Sequence, residues 1–251
     1  MGNFRNPSIL AAMAGITDGD FAKHCIIEGG AGMVTIGGYP IGKEMIKASF
    51  KVAQRGRDEF ILHVGKESEE ILREANKIPD FSRLIVNLRL NNPKEARKFV
   101  QSFDDFTSEK PILEVNAHCR QSEIFHLGGG QGLLQRIDVL SDIIKIIQSK
   151  NFKISLKIRG NAIDPDSLIP HINEWQTDFL HIDSYKKGII GTDLALLEKY
   201  THEINIPIIG NNSVVDIASA QLILKTGVEY FSVARAAKSN PSIFRSILKH
   251  F

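Results

Sequence analysis

The most constraining feature of the chain is a recurring alternation. Short apolar runs, rich in Ile, Val and Phe, alternate with polar breaks and helical stretches from one end to the other. The runs are Ser8–Met13, Gly32–Ile36, Phe60–Val64, Leu84–Leu90, Ile112–Val115, Lys153–Ile158, Phe179–Ile182, Ile206–Ile209 and Tyr230–Val233. Most are unbroken rather than alternating, as in strands buried on both faces. The stretches between them carry helical signals. In 134–149, Ile137, Leu140, Ile143, Ile144 and Ile147 fall on one face. In 213–226, Ser213 offers an N-cap and Gly227 a stop. Strand followed by helix throughout predicts an α/β fold with parallel strands. The 251 residues, shared among eight units of about 31, match a closed (β/α)8 barrel built as one domain over residues 1–251. Nine candidate strands exceed eight, so one belongs to an insertion.

Composition excludes several other classes. Apolar residues make up 43% and charged residues 24%, which is an ordinary globular balance. A net charge of +2 carries no basic excess of the kind that drives phosphate-backbone binding. The two cysteines, Cys25 and Cys119, form no CxxC pair, so neither a disulfide framework nor a zinc or iron–sulfur centre is expected. A reducing, cytoplasmic setting follows. Residues 1–6 carry no apolar leader, and no run reaches the roughly 20 residues of a membrane helix.

In such a barrel the chemistry gathers at the C-terminal ends of the strands. The residues that follow the runs are Ala14-Gly15, Gly37-Gly38, Asn87, Asn116 to Cys119, Lys157 to Arg159, Asp183, Asn211-Asn212 and Ala234-Arg235. Lys157 closes an apolar strand, where an inward ammonium is costly unless it meets an anion or an electron-rich ring. The plainer alternative is a lysine reaching solvent. Cys119, on a loop, offers a thiol suited to proton transfer near neutral pH, whereas Cys25 reads as a buried helical residue. Asn116 carries a donor and an acceptor together. Alternation places His181 toward the helices. His118, Cys119 and His126 supply metal-ligand atoms without a supporting pattern, and no metal is expected. Gly128–Gly130 lack dinucleotide-fingerprint spacing and read as a mobile loop.

Taken in order, these segments resemble the flavin-dependent tRNA-dihydrouridine synthases. Ala11-Ala12-Met13-Ala14-Gly15-Ile16-Thr17-Asp18 is similar to PMAGVTD, with Ala12 for Pro. Val86-Asn87-Leu88 with Asn92-Pro93 resembles VQL…DP. Glu114 to Arg120 resembles DINxGCP, and Gly128 to Leu134 a GxGxAL stretch. Leu156-Lys157-Ile158-Arg159 is similar to VKIR, and Pro207 to Asn212 to PVIANG. Ser232 to Ala237 with Asn240 to Phe244 resembles MIGRAA…NPWLF. The likeness extends from Ile9 to Phe244. It makes Leu84–Leu90 the third barrel strand and Phe60–Val64, with the helix after it, a strand–helix insertion near residues 59–80.

The resemblance implies FMN as cofactor, with NAD(P)H as a candidate electron donor. It assigns Ala12, Met13, Ala14, Asn87, Lys157, Asp183, Asn211, Asn212, Ala234 and Arg235 to the flavin. Asn211-Asn212 and Ala234-Arg235 would take its phosphate. Asn116 and Arg159 would face the substrate, Lys157 would tune the flavin, and Cys119 would pass a proton while flavin N5 passes a hydride. Departures stand beside the matches. Asp183-Ser184-Tyr185 replaces the family's HGR, whose histidine contacts flavin, and Arg120 replaces Pro. The family's C-terminal helical domain, which helps hold tRNA, has no counterpart, as in shorter archaeal barrel relatives. A pyrimidine-containing substrate is therefore expected, either in tRNA or as a free ring in the manner of dihydroorotate dehydrogenase. A non-catalytic FMN-binding subunit and a sugar-phosphate isomerase on the same fold are the other readings. Homo-oligomer and partner subunit are both left open.

Overall fold

The structure is a computed structural model and describes residues 6–106, 110–188 and 191–249. Of the segments read above, residues 1–5 lie outside the described residues. Eight strands pair in parallel and in sequence order, and β8 closes on β1. They are β1 (Ser8–Leu10), β2 (Met33–Pro40), β3 (Leu84–Arg89), β4 (Ile112–Ala117), β5 (Ile154–Arg159), β6 (Phe179–Asp183), β7 (Ile208–Asn211) and β8 (Tyr230–Val233). The helices are α1 (Gly19–Ile27), α2 (Lys43–Gln54), α3 (Glu67–Ala75), α4 (Pro93–Phe106), α5 (Ser122–Phe125), α6 (Ile137–Gln148), α7 (Pro165–Trp175), α8 (Leu194–Glu203), α9 (Ile217–Leu224), α10 (Arg235–Ser239) and α11 (Ile243–Leu248).

Each strand sends alternate residues to opposite faces. Leu10, Val34, Val86, Val115, Leu156, Ile182 and Phe231 pack outward into the large apolar cluster shared with the helices. The inward residues form layers, as barrel interiors do. Ile9, Met33, Ile85, Ile112, Phe179 and Ile209, backed by Tyr230, make a separate apolar cluster at the N-terminal end. Two residues further along the same faces stand Asn87, Glu114, His181, Asn211 and Ser232, all polar. The interior is thus an apolar floor beneath a polar layer.

The insertion lies between α2 and β3 and contributes helix α3 but no strand. The Phe60–Val64 run has no pairing partner, because β2 already pairs with β3, and Ile61 and Val64 are exposed. Helix α9 also starts later than its sequence suggests. Asp216 caps it in a reciprocal box with Ser219, while Ser213 sits at φ 52° in the preceding turn. The stretch Gly128–Gly130 is not an open loop but packs beneath Cys119. Gln131 N–H donates to the Cys119 carbonyl at 2.8 Å, and a Cβ on Gly130 would lie 2.4 Å from that same oxygen.

Candidate active site

The polar layer converges on one carboxylate. Glu114, on β4, is 0% exposed and accepts from Asn87 Nδ2 at 2.6 Å, Ser155 Oγ at 2.9 Å and His181 Nδ1 at 2.7 Å. His181 Nε2 lies 2.8 Å from Ser232 Oγ, which accepts from Asn211 Nδ2 at 2.6 Å. On the other side Asn116 Nδ2 donates to Asn87 Oδ1 at 2.9 Å. Asn116 Oδ1 in turn accepts the backbone N–H groups of His118 and Cys119, at 3.1 and 2.9 Å. The donors are directionally consistent when His181 is neutral with its proton on Nδ1, so that Ser232 donates to Nε2. Burial supports that form by pushing His181 down to about 4. Burial alone would raise Glu114, but His181, Lys157 and the Asn87 bond outweigh it and hold the carboxyl at about 2. His181 therefore faces the barrel axis and not the helices. Its neighbours in register, Lys157 and Ile209, face the same way.

Lys157 stands above this layer. It is 4% exposed, and its ammonium makes no hydrogen bond or ion pair among the described residues. Burial lowers its pKa, and the charges of Glu114 and Asp183 oppose that. Asp183 does not pair with Lys157. Its Oδ2 takes His118 Nε2 at 2.6 Å and Arg159 Nη2 at 3.0 Å, and its Oδ1 takes Tyr185 N–H at 3.1 Å. The basic partners outweigh burial and hold the Asp183 carboxyl at about 2. Arg159 lies 5.1 Å from the Tyr185 ring centroid, and its Nε and Nη1 are buried without a partner.

A cavity of about 900 Å³ opens at this end of the barrel. Ala12, Ala14, Asn87, Asn116, Cys119 and Arg159 all lie on its wall. Met13 is not on that wall; it packs against the large apolar cluster, and its backbone carbonyl accepts from Thr17 Oγ1 at 3.1 Å. Asn87 and Asn116 use their amides on Glu114, on each other and on the Cys119 loop, which leaves them less free for a ligand than their residue types suggest. Asn211, Asn212, Ala234 and Arg235 lie outside the cavity wall, on the adjoining mouths of β7 and β8. The backbone N–H groups of Asn212, Ser213 and Ala234 make no hydrogen bond among the described residues.

Three features were not anticipated from sequence: Glu114 as the common acceptor, the His118–Asp183 pair, and an Arg89–Glu59 ion pair in the cavity wall. Glu59 and Arg89 are both almost wholly buried. Period-two polar positions were the available signal for Glu114 and His181, since Asn87, Glu114, Asn116, Ser155, Lys157, His181 and Asp183 share one strand phase. The segment carrying Glu59 is pressed against the loop after β1. A Cβ on Gly15 would lie 2.3 Å from Glu59 N, and Gly15 holds φ +70°. Only glycine tolerates both conditions.

No family model matches the chain. An uncharacterized protein of Methanocaldococcus jannaschii is 36% identical over 231 residues, covering 90% of this chain and 87% of that protein. The chain belongs to the family of this archaeal protein. It also resembles tRNA-dihydrouridine synthase B of Escherichia coli, at 24% identity over 97% of this chain and 71% of that one. A dihydroorotate dehydrogenase structure from Eimeria tenella, in complex with ferulenol, superposes with a TM-score of 0.66 at 16% identity. It covers 97% of this chain and 80% of that one, and at this identity the likeness shows the (β/α)8 fold alone. No helix among the described residues is long and apolar enough to cross a membrane.

Proposed function

We propose that this chain is a flavin-dependent oxidoreductase acting on a C–C bond of a pyrimidine-like ring. The observation that carries this reading is Lys157, an ammonium nearly removed from water at the mouth of the barrel with no bonded partner. Such a group costs several kcal/mol unless an anion or electron-rich partner meets it. Glu114 and Asp183 offset its charge without bonding to it. The resemblance to the dihydrouridine synthases supports FMN as that ligand.

The residues present suit the group. A cavity of about 900 Å³ is large enough for a flavin and a small ring together. The unpartnered buried N–H groups of Arg159 await an acceptor. At the mouths of β7 and β8 the free N–H groups of Asn212, Ser213 and Ala234, with Arg235 beside them, suit a phosphate. When bound, FMN would supply hydride transfer. Lys157 would hold positive charge against the ring, and Cys119 would donate or accept the proton. Asn116 would fix the Cys119 loop so that the thiol is held toward the cavity.

The test is spectroscopic. Protein mixed with FMN is gel-filtered, and the visible spectrum of the protein peak is recorded. Flavin bands that stay with wild type and leave with Lys157→Met support the reading. A colourless protein refutes it and favours a sugar-phosphate ligand. The reduced protein is then offered unmodified tRNA, and the oxidised protein dihydroorotate. Turnover of one names the ring, and turnover of neither removes this substrate class.

A further inference from the structure

The two histidines of the barrel mouth differ in one respect. His181 has both ring nitrogens engaged, on Glu114 and Ser232, and is 0% exposed. His118 has only Nε2 engaged, on Asp183 at 2.6 Å. Its Nδ1 makes no hydrogen bond among the described residues, and the residue lies on the cavity wall between Asn116 and Cys119. The ring is held in place from two sides. Asp183 is itself fixed by Arg159 Nη2 and the Tyr185 N–H, and the His118 backbone N–H is tied to Asn116. An imidazole bound through one nitrogen to a fixed carboxylate, with the other nitrogen open to a cavity, is the arrangement of a general base. The carboxylate selects the tautomer and stabilises the imidazolium that forms. Here Asp183 accepts the Nε2 proton and leaves the Nδ1 lone pair for a ligand.

We propose that His118, oriented by Asp183, is a second proton-transfer residue of this site, distinct from Cys119. The inference rests on the function proposed above. The Nδ1 lone pair forms a bond to a proton of a substrate N–H or O–H group. That N–H or O–H bond breaks, and its electron pair remains on the substrate heteroatom. The resulting imidazolium is balanced by Asp183, and the reverse step returns the proton. The substrate class narrows accordingly to a ring bearing an ionisable N–H or O–H within reach of the reacting carbons. The groups that face His118 are Asp183 on β6, Lys157 and Arg159 on β5, and Cys119 and Arg120 in its own loop. Burial lowers its pKa, with Lys157 and Arg159 acting in the same direction and Asp183 opposing. The base is therefore free at neutral pH.

The sequence places the pair where the resembling family has other residues. His118 stands at the glycine before the loop cysteine, and Asp183 at the histidine after the sixth strand. The two departures meet each other in space.

The test has one arm that needs no substrate. Wild-type protein is treated with diethyl pyrocarbonate from pH 5 to pH 8, and each histidine is followed by peptide mass spectrometry. Exposed His63 serves as the reactive reference and His181 as the protected one. His118 should react, with a midpoint below that of an ordinary histidine, and Asp183→Asn should shift that midpoint lower. A His118 as inert as His181 overturns the proposal. The second arm uses FMN-loaded protein with tRNA or dihydroorotate. His118→Asn should keep the flavin, lower turnover by 10²-fold or more and abolish the acidic limb of the pH–rate profile. Unchanged turnover, or an acidic limb that survives, overturns the assignment. Wild type that turns over neither probe refutes the function proposed above, and the modification arm alone then decides on His118.

Discussion

Replacing Glu114 by glutamine removes one charge and almost no volume, so its effect isolates the electrostatics of the polar layer. In the native protein the carboxyl is held at about 2 against an ordinary 4.5. That difference corresponds to roughly 3 kcal/mol of stability at neutral pH, present above the ordinary value and lost as pH falls toward 2. Glutamine forfeits this term and leaves Lys157 without its counter-charge. It also turns an N–H group toward donors, on Asn87, Ser155 and His181, that need an acceptor. Removing one partner of a buried charge arrangement costs about 3–5 kcal/mol. We therefore expect Glu114→Gln to lose about 3 kcal/mol, or roughly 6–12 °C in melting temperature for a chain of this size. The assay is urea and thermal unfolding at pH 7, carried out as a double-mutant cycle with Lys157→Met. In the Lys157→Met background the Glu114 substitution should cost at least about 1 kcal/mol less. Two results would refute the reasoning: a Glu114→Gln protein within about 2 °C of wild type, which is under 1 kcal/mol, or an equal cost in both backgrounds.

Other expectations are checked separately. His181 is pushed down to about 4 while an unfolded histidine titrates near 6.5, so the unfolded chain takes up the proton first. Stability should fall by up to about 3 kcal/mol between pH 6.5 and 4, as read from urea midpoints, and a pH-independent midpoint across that window would contradict the neutral, inward-facing ring. Cys119→Ala should retain FMN in gel filtration and lower turnover by about 10²–10⁴-fold, and unchanged turnover excludes the thiol as the proton donor. Gly15→Ala should cost about 1–3 kcal/mol and weaken FMN retention. Its Cβ would lie 2.3 Å from Glu59 N and 2.6 Å from Asp58 C, and thermal melts with flavin titration report both effects.

The architecture was legible because each barrel strand is a compact Ile/Val run. Leu84–Leu90 and Phe179–Ile182 fall within one residue of β3 and β6. The Phe60–Val64 run carries the same composition without being a strand, since strand identity depends on a hydrogen-bonding partner that local composition does not encode. The positions of Cys119, Lys157 and Arg159 followed from their places at strand ends. The role of Glu114 did not, because one carboxylate inside an apolar run reads as an isolated polar residue until its neighbours are known. The inward face of His181 escapes the sequence pattern for a related reason. The phase of β6 is set by its register with Lys157 on β5, and a five-residue strand does not announce which face is interior. The His118–Asp183 pair joins residues 65 apart in sequence, and only barrel closure brings them together.

The apolar floor beneath the polar layer has a further consequence. Ile9, Met33, Ile85, Ile112, Phe179 and Ile209 block the N-terminal end, Glu114 and His181 are sealed from solvent altogether, and Lys157 keeps only a slight exposure toward the mouth. Any ligand seated in that mouth acts as a stopper. With it in place, the bonds from Asn211 through Ser232, His181 and Glu114 to Asn87 and Asn116 form a sealed, pre-polarised base. That base is made by strand residues, and Asn116 ties it to the loop above through the His118 and Cys119 N–H groups. Exposed loop side chains such as Arg120 are then free to drift and re-specify what is admitted, while the floor and the polar layer keep the reacting groups at a constant spacing.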